Sequence, residues 1–275
     1  MKPDIFIIGF GKSGTTSLYD LLVQSSNFRV ANNKEPNLLS SQSFSKSWYY
    51  RHFSKDETVG IIDASPETIF APKALLNLQH FATAKVILLK RNPIERAYSD
   101  WWMFKVSGLE KLNFIEALKE NERQIHDRGV CNTLNQRVNW SEYRDKLNCG
   151  CLSQRFYLDQ SMYALHEQNL KNLGIHYRCF DIEQLNTLEG LDAIGSYIDI
   201  SLNTLGKKSW EGYNSRFHMQ LAKRLYPIFK TVPIVNTTLR QVNRKIKKSL
   251  PKQKITQNEI SFAEQILRRL HDKYI

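Results

Sequence analysis

The sequence predicts one α/β domain, spanning residues 1–275, in which a central parallel sheet is flanked by helices. First, short continuous apolar runs alternate along the chain with segments of helical periodicity. Second, the first apolar run ends in a glycine-rich turn that leads directly into a helical pattern. Third, no internal repeat or low-complexity linker divides the 275 residues. A chain of this length can bury a sizeable core.

The spacing of apolar residues assigns each element in order along the chain. The first strand, residues 5–8, is continuously apolar, which is typical of a strand buried on both faces. Leu18, Leu21 and Leu22 then follow at helical spacing. The predicted strands are residues 5–8, 59–63, 85–89 and 176–180; the predicted helices are 15–23, 72–81, 94–106, 114–124, 157–173, 185–198 and 260–274; residues 127–150 are predicted to form a loop or insert.

The charge balance favours an anionic partner. The chain carries 39 Lys and Arg against 27 Asp and Glu, a formal net charge of +12. Nucleic acid, a phosphorylated cofactor and an acidic glycan all satisfy this preference, and so does a basic surface with no partner. The basic stretch from Arg240 to Lys254 lacks the interleaved aromatics of a nucleic-acid module, so a nucleic-acid partner is not expected.

The turn after the first strand has the chemistry of an anion site. A loop between a strand and a helix N-terminus exposes backbone N–H groups at the positive end of the helix dipole. Glycines let the backbone approach an anion closely, and Lys12 adds a full positive charge. The loop glycines are Gly9, Gly11 and Gly14, and the added hydroxyls belong to Ser13, Thr15, Thr16 and Ser17.

A nucleoside-triphosphate P-loop is the obvious rival for this turn. That motif is G-x-x-x-x-G-K-[ST], and Gly11-Lys12-Ser13 supplies its second half. The first glycine is missing, because Phe6 stands where it is required. A tight turn with a purely structural role is the remaining alternative.

Two motifs resemble those of the PAPS-dependent sulfotransferases, which use 3′-phosphoadenosine 5′-phosphosulfate as donor. The segment from Gly11 to Leu18 is similar to the family's 5′-phosphosulfate loop. The segment from Leu89 to Ser99 is similar to its 3′-phosphate motif, a strand ending in Arg with Ser eight residues later. The resemblance implies donor binding by Lys12, Ser13, Gly14, Thr15, Thr16, Ser17, Arg91 and Ser99.

The second motif is also reasonable on physical grounds. Arg91 lies at the carboxyl end of a predicted strand, and Ser99 lies about two helical turns further on. The guanidinium fork of an arginine suits a phosphate, because it donates two parallel hydrogen bonds.

A candidate general base precedes the second predicted strand. Lys34-Glu35-Pro36 resembles a segment of the glycan-type and related bacterial branch, which includes heparan sulfate sulfotransferase domains. The resemblance implies that Glu35 is the catalytic base and that Lys12 acts on the leaving phosphate. Leu38 and Leu39 replace the aromatic pair usual in that segment. His52 is the competing base, because small-molecule sulfotransferases use a histidine.

Two further segments are weaker candidates. The segment from Asp63 to Glu67 resembles a family segment that shapes the acceptor cleft, although Ser65 could instead cap a helix. The segment from Lys207 to Arg216 is the candidate basic loop over the donor's 3′-phosphate, in which Lys208 or Arg216 could reach the phosphate and Trp210 could stack on adenine. A surface turn explains this second segment equally well.

The resemblance therefore implies an enzyme that transfers a sulfuryl group from PAPS to a hydroxyl or amine, on a saccharide, and releases adenosine 3′,5′-bisphosphate (PAP). No metal is expected. One alternative is a P-loop nucleotide kinase or NTPase, with Asp63 as its magnesium-binding aspartate. The other is a non-enzymatic, basic polyanion-binding protein, whose binding would depend strongly on salt.

The sequence also gives expectations about the cellular compartment and the redox state of the cysteines. No run approaches ~18 apolar residues, so no transmembrane segment is predicted. The first apolar run is too short for a signal peptide, which predicts a cytoplasmic protein if the chain is complete and the Golgi lumen if it is a trimmed catalytic domain. The cysteines lack zinc-site spacing, and free thiols are expected at Cys131, Cys149, Cys151 and Cys179, with a disulfide among them as the alternative.

Overall fold

A computed structural model describes residues 3–25, 28–54, 59–106, 109–129, 155–202 and 254–275. Within these residues, five parallel strands form one sheet in the order β2–β3–β1–β4–β5, which confirms the predicted α/β fold. The strands are β1 (Ile5–Gly9), β2 (Arg29–Val30), β3 (Ile61–Asp63), β4 (Lys85–Lys90) and β5 (Tyr177–Asp181).

Helices cover both faces of this sheet. No helix in the described ranges combines the length and apolar character needed to cross a bilayer. The α-helices are α1 (Thr15–Ser25), α2 (Lys46–Tyr50), α3 (Pro72–Leu78), α4 (Pro93–Val106), α5 (Phe114–Arg128), α6 (Tyr163–Asn172), α7 (Leu188–Ile198) and α8 (Gln257–Tyr274). Short 3₁₀ helices span Leu38–Ser40, Pro66–Phe70, Asp159–Ser161 and Ile182–Asn186.

The central strand β1 separates the two layers of the core. Because side chains alternate along a strand, Phe6 and Ile8 pack on the face that carries α3, while Ile5 and Ile7 pack on the face that carries α1 and α7. The chain moves outward from β1 to β2 and then returns across the sheet to β4 and β5. The strand order therefore reverses beside β1, and the carboxyl ends of β1 and β4 open a crevice of the kind that binds ligands.

A third apolar cluster lies beyond this sandwich, where α4, α5 and α8 pack together. Ile94, Phe114 and Ile266 are each buried in it. This cluster fixes the orientation of α4, which is the helix that follows β4 at the crevice.

The main departure from the predicted elements lies between residues 157 and 173. The sequence predicts one helix there, but a 3₁₀ turn at Asp159–Ser161 precedes α6. Polar side chains of the turn have tertiary partners: Asn121 Nδ2 donates to Asp159 Oδ2 at 2.9 Å, and Ser161 Oγ lies 2.9 Å from Pro93 O. Apolar periodicity does not record such contacts. The sequence also missed β2 and α2 because both are very short.

The end of α5 corrects one boundary of the predicted insert. The helix continues to Arg128, so residues 127 and 128 are helical. Residues 130–150 of the predicted insert lie outside the described part of the chain.

Candidate active site

Residues 10–14, here called the β1 loop, connect β1 to α1 in a conformation that glycine makes possible. Gly9 has φ of 128°, and a Cβ there would lie 2.7 Å from Leu89 O of the adjacent strand. Gly14 has φ of 88°, and its Cβ would lie 2.9 Å from Ile182. Both positions therefore exclude larger side chains, because β4 and the segment after β5 approach the backbone too closely.

The predicted catalytic lysine has an unusual backbone conformation in this loop. Lys12 has φ of 73°, which costs a non-glycine residue on the order of 1–3 kcal/mol. Lys12 is the third residue of a turn in which Ser13 N donates to Phe10 O at 3.1 Å. The half-buried Lys12 side chain reaches α4, where its Nζ lies 3.9 Å from Met103 Sδ. Met103 lies one turn beyond Ser99, so the lysine lies beside the helix that carries the second motif.

The remaining predicted donor-binding residues of this motif lie at the N-terminus of α1. Thr15, Thr16 and Ser17 form its first turn, and Leu18 N donates to Gly14 O at 3.1 Å. The amides before Leu18 are those that a helix leaves without an internal acceptor. Ser13 is fully buried, and its Oγ has no hydrogen-bond partner within the described residues.

Arg91 and Asn92, here called the β4 loop, follow the neighbouring strand. Asn92 Oδ1 accepts from Ile94 N at 3.0 Å and caps α4. Arg91 is half-buried and forms an ion pair with Glu95, with Nη2 2.7 Å and Nε 3.1 Å from Glu95 Oε2. Ser99 is half-buried two turns along α4. Arg91 and Glu95 are four residues apart, and exposed ion pairs of this kind contribute only about 0–1 kcal/mol to folding stability.

The predicted base lies beside the start of α1. Lys34 Nζ is 2.6 Å from Glu35 Oε1 and 3.5 Å from Thr15 Oγ1, so Lys34 links Glu35 to the first turn of α1. The Glu35 side chain is 45% exposed, so its carboxylate is accessible from solvent. Asn37 N donates to Ser65 Oγ at 3.0 Å and ties this segment to the residues that follow β3.

Asp63 and Ser65 form a buried polar cluster at the end of β3. Ser65 Oγ donates to Asp63 Oδ1 at 2.6 Å, and Tyr49 OH donates to Asp63 Oδ2 at 2.5 Å. Burial raises the pKa of Asp63, and these hydrogen bonds oppose the rise. Ser65 occupies the N-cap position of the 3₁₀ helix that follows, but its side chain bonds to Asp63 and makes no cap hydrogen bond to that helix. No group of three His, Cys, Asp or Glu side chains within the described ranges is arranged to share a metal ion.

Arg96 is a site residue that sequence reasoning missed. It is fully buried, and its Nη1 donates to Gly11 O at 3.5 Å and to Gln160 Oε1 at 3.2 Å. Its Nε donates to Ser161 Oγ at 3.0 Å. The guanidinium therefore joins the β1 loop to α4 and to the turn before α6. The spacing of Arg96, Ser99 and Met103 on one helical face was the available signal.

Other predicted residues lie away from this arrangement or outside the described residues. His52 is exposed, with Nδ1 3.0 Å from Trp48 O and its ring against the Trp48 ring. Cys179 is a free, half-buried thiol on β5. Of the predicted basic stretch from Arg240 to Lys254, only Lys254 is described. The segment Lys207–Arg216 with Trp210 and the residues Cys131, Cys149 and Cys151 lie outside the described residues.

Comparison with known proteins agrees with the motifs and the fold. A solved structure of a sulfotransferase from Alicyclobacillus acidocaldarius is similar, with a TM-score of 0.55 and 17% sequence identity over 90% of this chain and 95% of that one. No curated protein matches the chain. The model of the sulfotransferase domain family matches residues 2–172, which include the β1 loop, Glu35, Arg91 and Ser99. The chain therefore belongs to the sulfotransferase domain family.

Proposed function

We propose that this sulfotransferase takes its sulfuryl group from PAPS and transfers it to a hydroxyl or amine of a saccharide, with Glu35 as general base. The observation that carries the proposal is the adjacency of β1 and β4, which pair in parallel with Gly9 opposite Leu89. Both anion-binding motifs consequently open at the same edge of the sheet. Two such loops suit a donor with a 5′-phosphosulfate and a 3′-phosphate.

The residues of the β1 loop fit the 5′ end of this donor. The leading amides of α1 and the hydroxyls of its first turn offer hydrogen bonds to an anion. Lys12 is the cation that would offset charge on the phosphate as its bond to sulfur breaks. Arg91 would exchange Glu95 for the 3′-phosphate, to which it can donate two hydrogen bonds.

Transfer then requires a proton acceptor opposite the leaving group. An acceptor oxygen or nitrogen attacks the sulfur, the S–O bond to the phosphate breaks, and PAP leaves. Glu35 takes the acceptor proton, and Lys34 holds the carboxylate next to Thr15 at the start of α1. The exposure of Glu35 and the resemblance of its segment to the glycan-type segment support a saccharide, since an exposed carboxylate is accessible to a large acceptor.

Thermal denaturation with nucleotides tests the donor. We expect PAP without magnesium to raise the melting temperature by several degrees, because a ligand that binds only the folded state stabilises it. A magnesium-dependent shift with ATP and no shift with PAP would instead support a nucleotide kinase. Salt-sensitive binding of any polyanion, with no response to PAP, would support a polyanion-binding protein.

The variant Glu35→Gln tests the base. Loss of general base catalysis should lower the rate of sulfuryl transfer by about 10²–10⁴-fold while PAP binding is retained. Glu264→Gln, at an exposed position of α8, is the matched control and should keep full activity. Full activity in Glu35→Gln would remove Glu35 from this role.

Screening polysaccharides and amines with labelled PAPS, under conditions in which the wild type is active, identifies the acceptor class.

A further inference from the structure

Tyr163, the first residue of α6, lies between the two loops of the candidate donor site. Its ring packs against Phe10 of the β1 loop, with ring centroids 4.0 Å apart and planes inclined by 30°. Two residues earlier, Ser161 Oγ lies 2.9 Å from Pro93 O, at the junction of the β4 loop and α4. The start of α6 therefore contacts the segments after both β1 and β4.

The Tyr163 hydroxyl is buried and has no hydrogen-bond partner within the described residues. The Ser13 hydroxyl is likewise buried and has no hydrogen-bond partner within the described residues. Buried polar groups are hydrogen-bonded in the great majority of folded proteins, so an unpartnered pair at one place requires an explanation, such as a ligand that supplies the partner.

The surroundings of this pair favour an anionic ligand. Burial raises the pKa of Tyr163, while Arg96, the Ser13 hydroxyl and Arg91 each oppose the rise. Ser13 and the Arg91 backbone are thus close to the Tyr163 oxygen, although neither has hydrogen-bond geometry with it. Two hydroxyls that can both donate, beside two guanidinium groups, match the needs of a phosphate or sulfate oxygen.

His166, the third buried polar side chain without a full set of partners, does not compete for this role. Its Nε2 lies 2.8 Å from Asp159 O, a carbonyl that can only accept, so Nε2 carries the proton. The unpartnered Nδ1 is therefore a lone-pair acceptor, which repels an anion. Of these three side chains, only Ser13 and Tyr163 can therefore donate a hydrogen bond to an anion.

We infer that Tyr163 is a further donor-binding residue, whose hydroxyl joins Ser13 in hydrogen-bonding the 5′-phosphate end of the donor. This inference rests on the proposed PAPS donor. Tyr163 stands outside both sequence motifs and reaches the donor site only because α6 packs beneath the β1 loop.

The variant Tyr163→Phe tests the inference, with PAP affinity measured by calorimetry and the melting temperature measured without ligand. The loss of a hydrogen bond to a charged group should weaken PAP binding by at least about tenfold. The ligand-free melting temperature should stay unchanged or rise, because the variant removes an unpartnered buried hydroxyl. Retention of the Phe10 contact keeps the packing of the ring.

Tyr197→Phe is the matched control. The Tyr197 hydroxyl donates to Val86 O at 3.1 Å, near the opposite end of β4. This control should lower the ligand-free melting temperature and leave PAP affinity unchanged. Adenosine 3′-monophosphate, which lacks the 5′-phosphate, serves as the second ligand. The penalty of Tyr163→Phe should disappear with it if the hydroxyl contacts the 5′ end.

The outcomes separate the inference from the proposed function. If wild type fails to bind PAP, the donor proposal is wrong and the inference fails with it. If wild type binds PAP and Tyr163→Phe binds equally well, the donor proposal stands and the inference is wrong. A variant with a lower ligand-free melting temperature and unchanged PAP affinity would make the Tyr163 hydroxyl a structural group.

Discussion

The β1 loop and the β4 loop lie at the same edge of the sheet but are built in opposite ways. The β1 loop is held by its backbone, with positive φ angles at Lys12 and Gly14 and a buried Ser13. The β4 loop relies on side chains, because Arg91 is paired with the exposed Glu95. The first loop is thus formed without a ligand, whereas on the proposed function Arg91 would have to exchange Glu95 for the donor's 3′-phosphate.

The largest effects should separate the two loops by the kinetic parameter that changes. We expect Lys12→Ala to lower kcat by about 10²–10³-fold, because its charge matters most when the leaving phosphate develops charge. Arg91→Ala should mainly raise the KM for PAPS, by about 10–100-fold, because the 3′-phosphate does not change during transfer. Steady-state kinetics with varied PAPS measures both parameters.

Arg51→Ala, at an exposed position after α2, is the control for loss of a positive charge. It should change neither parameter appreciably. Equal losses of kcat in the Lys12 and Arg91 variants would contradict the division of labour between the loops.

Acid should lower the folding stability of the protein through His166, which packs against the β1 loop. His166 packs against Phe10, and burial lowers its pKa to about 4, from the usual value near 6.5. The unfolded state therefore binds a proton between these two values when the folded state does not. Stability is fully present above pH 6.5 and is lost as the pH falls, by about 2 kcal/mol at pH 5.

Urea unfolding at pH 7.5 and pH 5 measures this loss. The variant His166→Gln should lose less stability between the two pH values than the wild type does, because it has no imidazole to protonate. His52→Gln, at an exposed position, should behave like the wild type. An identical pH dependence in wild type and His166→Gln would contradict the assignment.

The smallest effect should come from Glu95 of α4, the ion-pair partner of Arg91. Glu95→Gln should tighten PAP binding by up to about fivefold, because Arg91 no longer gives up an ion pair when it binds the phosphate. Glu189→Gln, in the first turn of α7, is a matched control that should leave PAP affinity unchanged. Weaker PAP binding in Glu95→Gln would mean that Glu95 positions Arg91.

Local sequence patterns predicted most of the described framework. The apolar runs at β1 and β4 and the helical spacing of α1 and α4 are confirmed, because parallel strands buried on both faces and amphipathic helices impose simple periodicities. The roles of Lys12, Glu35, Arg91 and Ser99 stay predictions, although the pairing of β1 with β4 brings the loops that carry Lys12 and Arg91 to one edge of the sheet.

The sequence by itself determined the family, the strand–loop–helix unit around Lys12 and the motif from Arg91 to Ser99, because these depend on neighbours along the chain. Only the tertiary structure decided that Arg96 would be buried against Gly11 O and that Tyr163 would lie beneath the β1 loop. These contacts join residues more than 80 positions apart. Their partners are set by the packing of α4 and α6 on the sheet, which no local periodicity records.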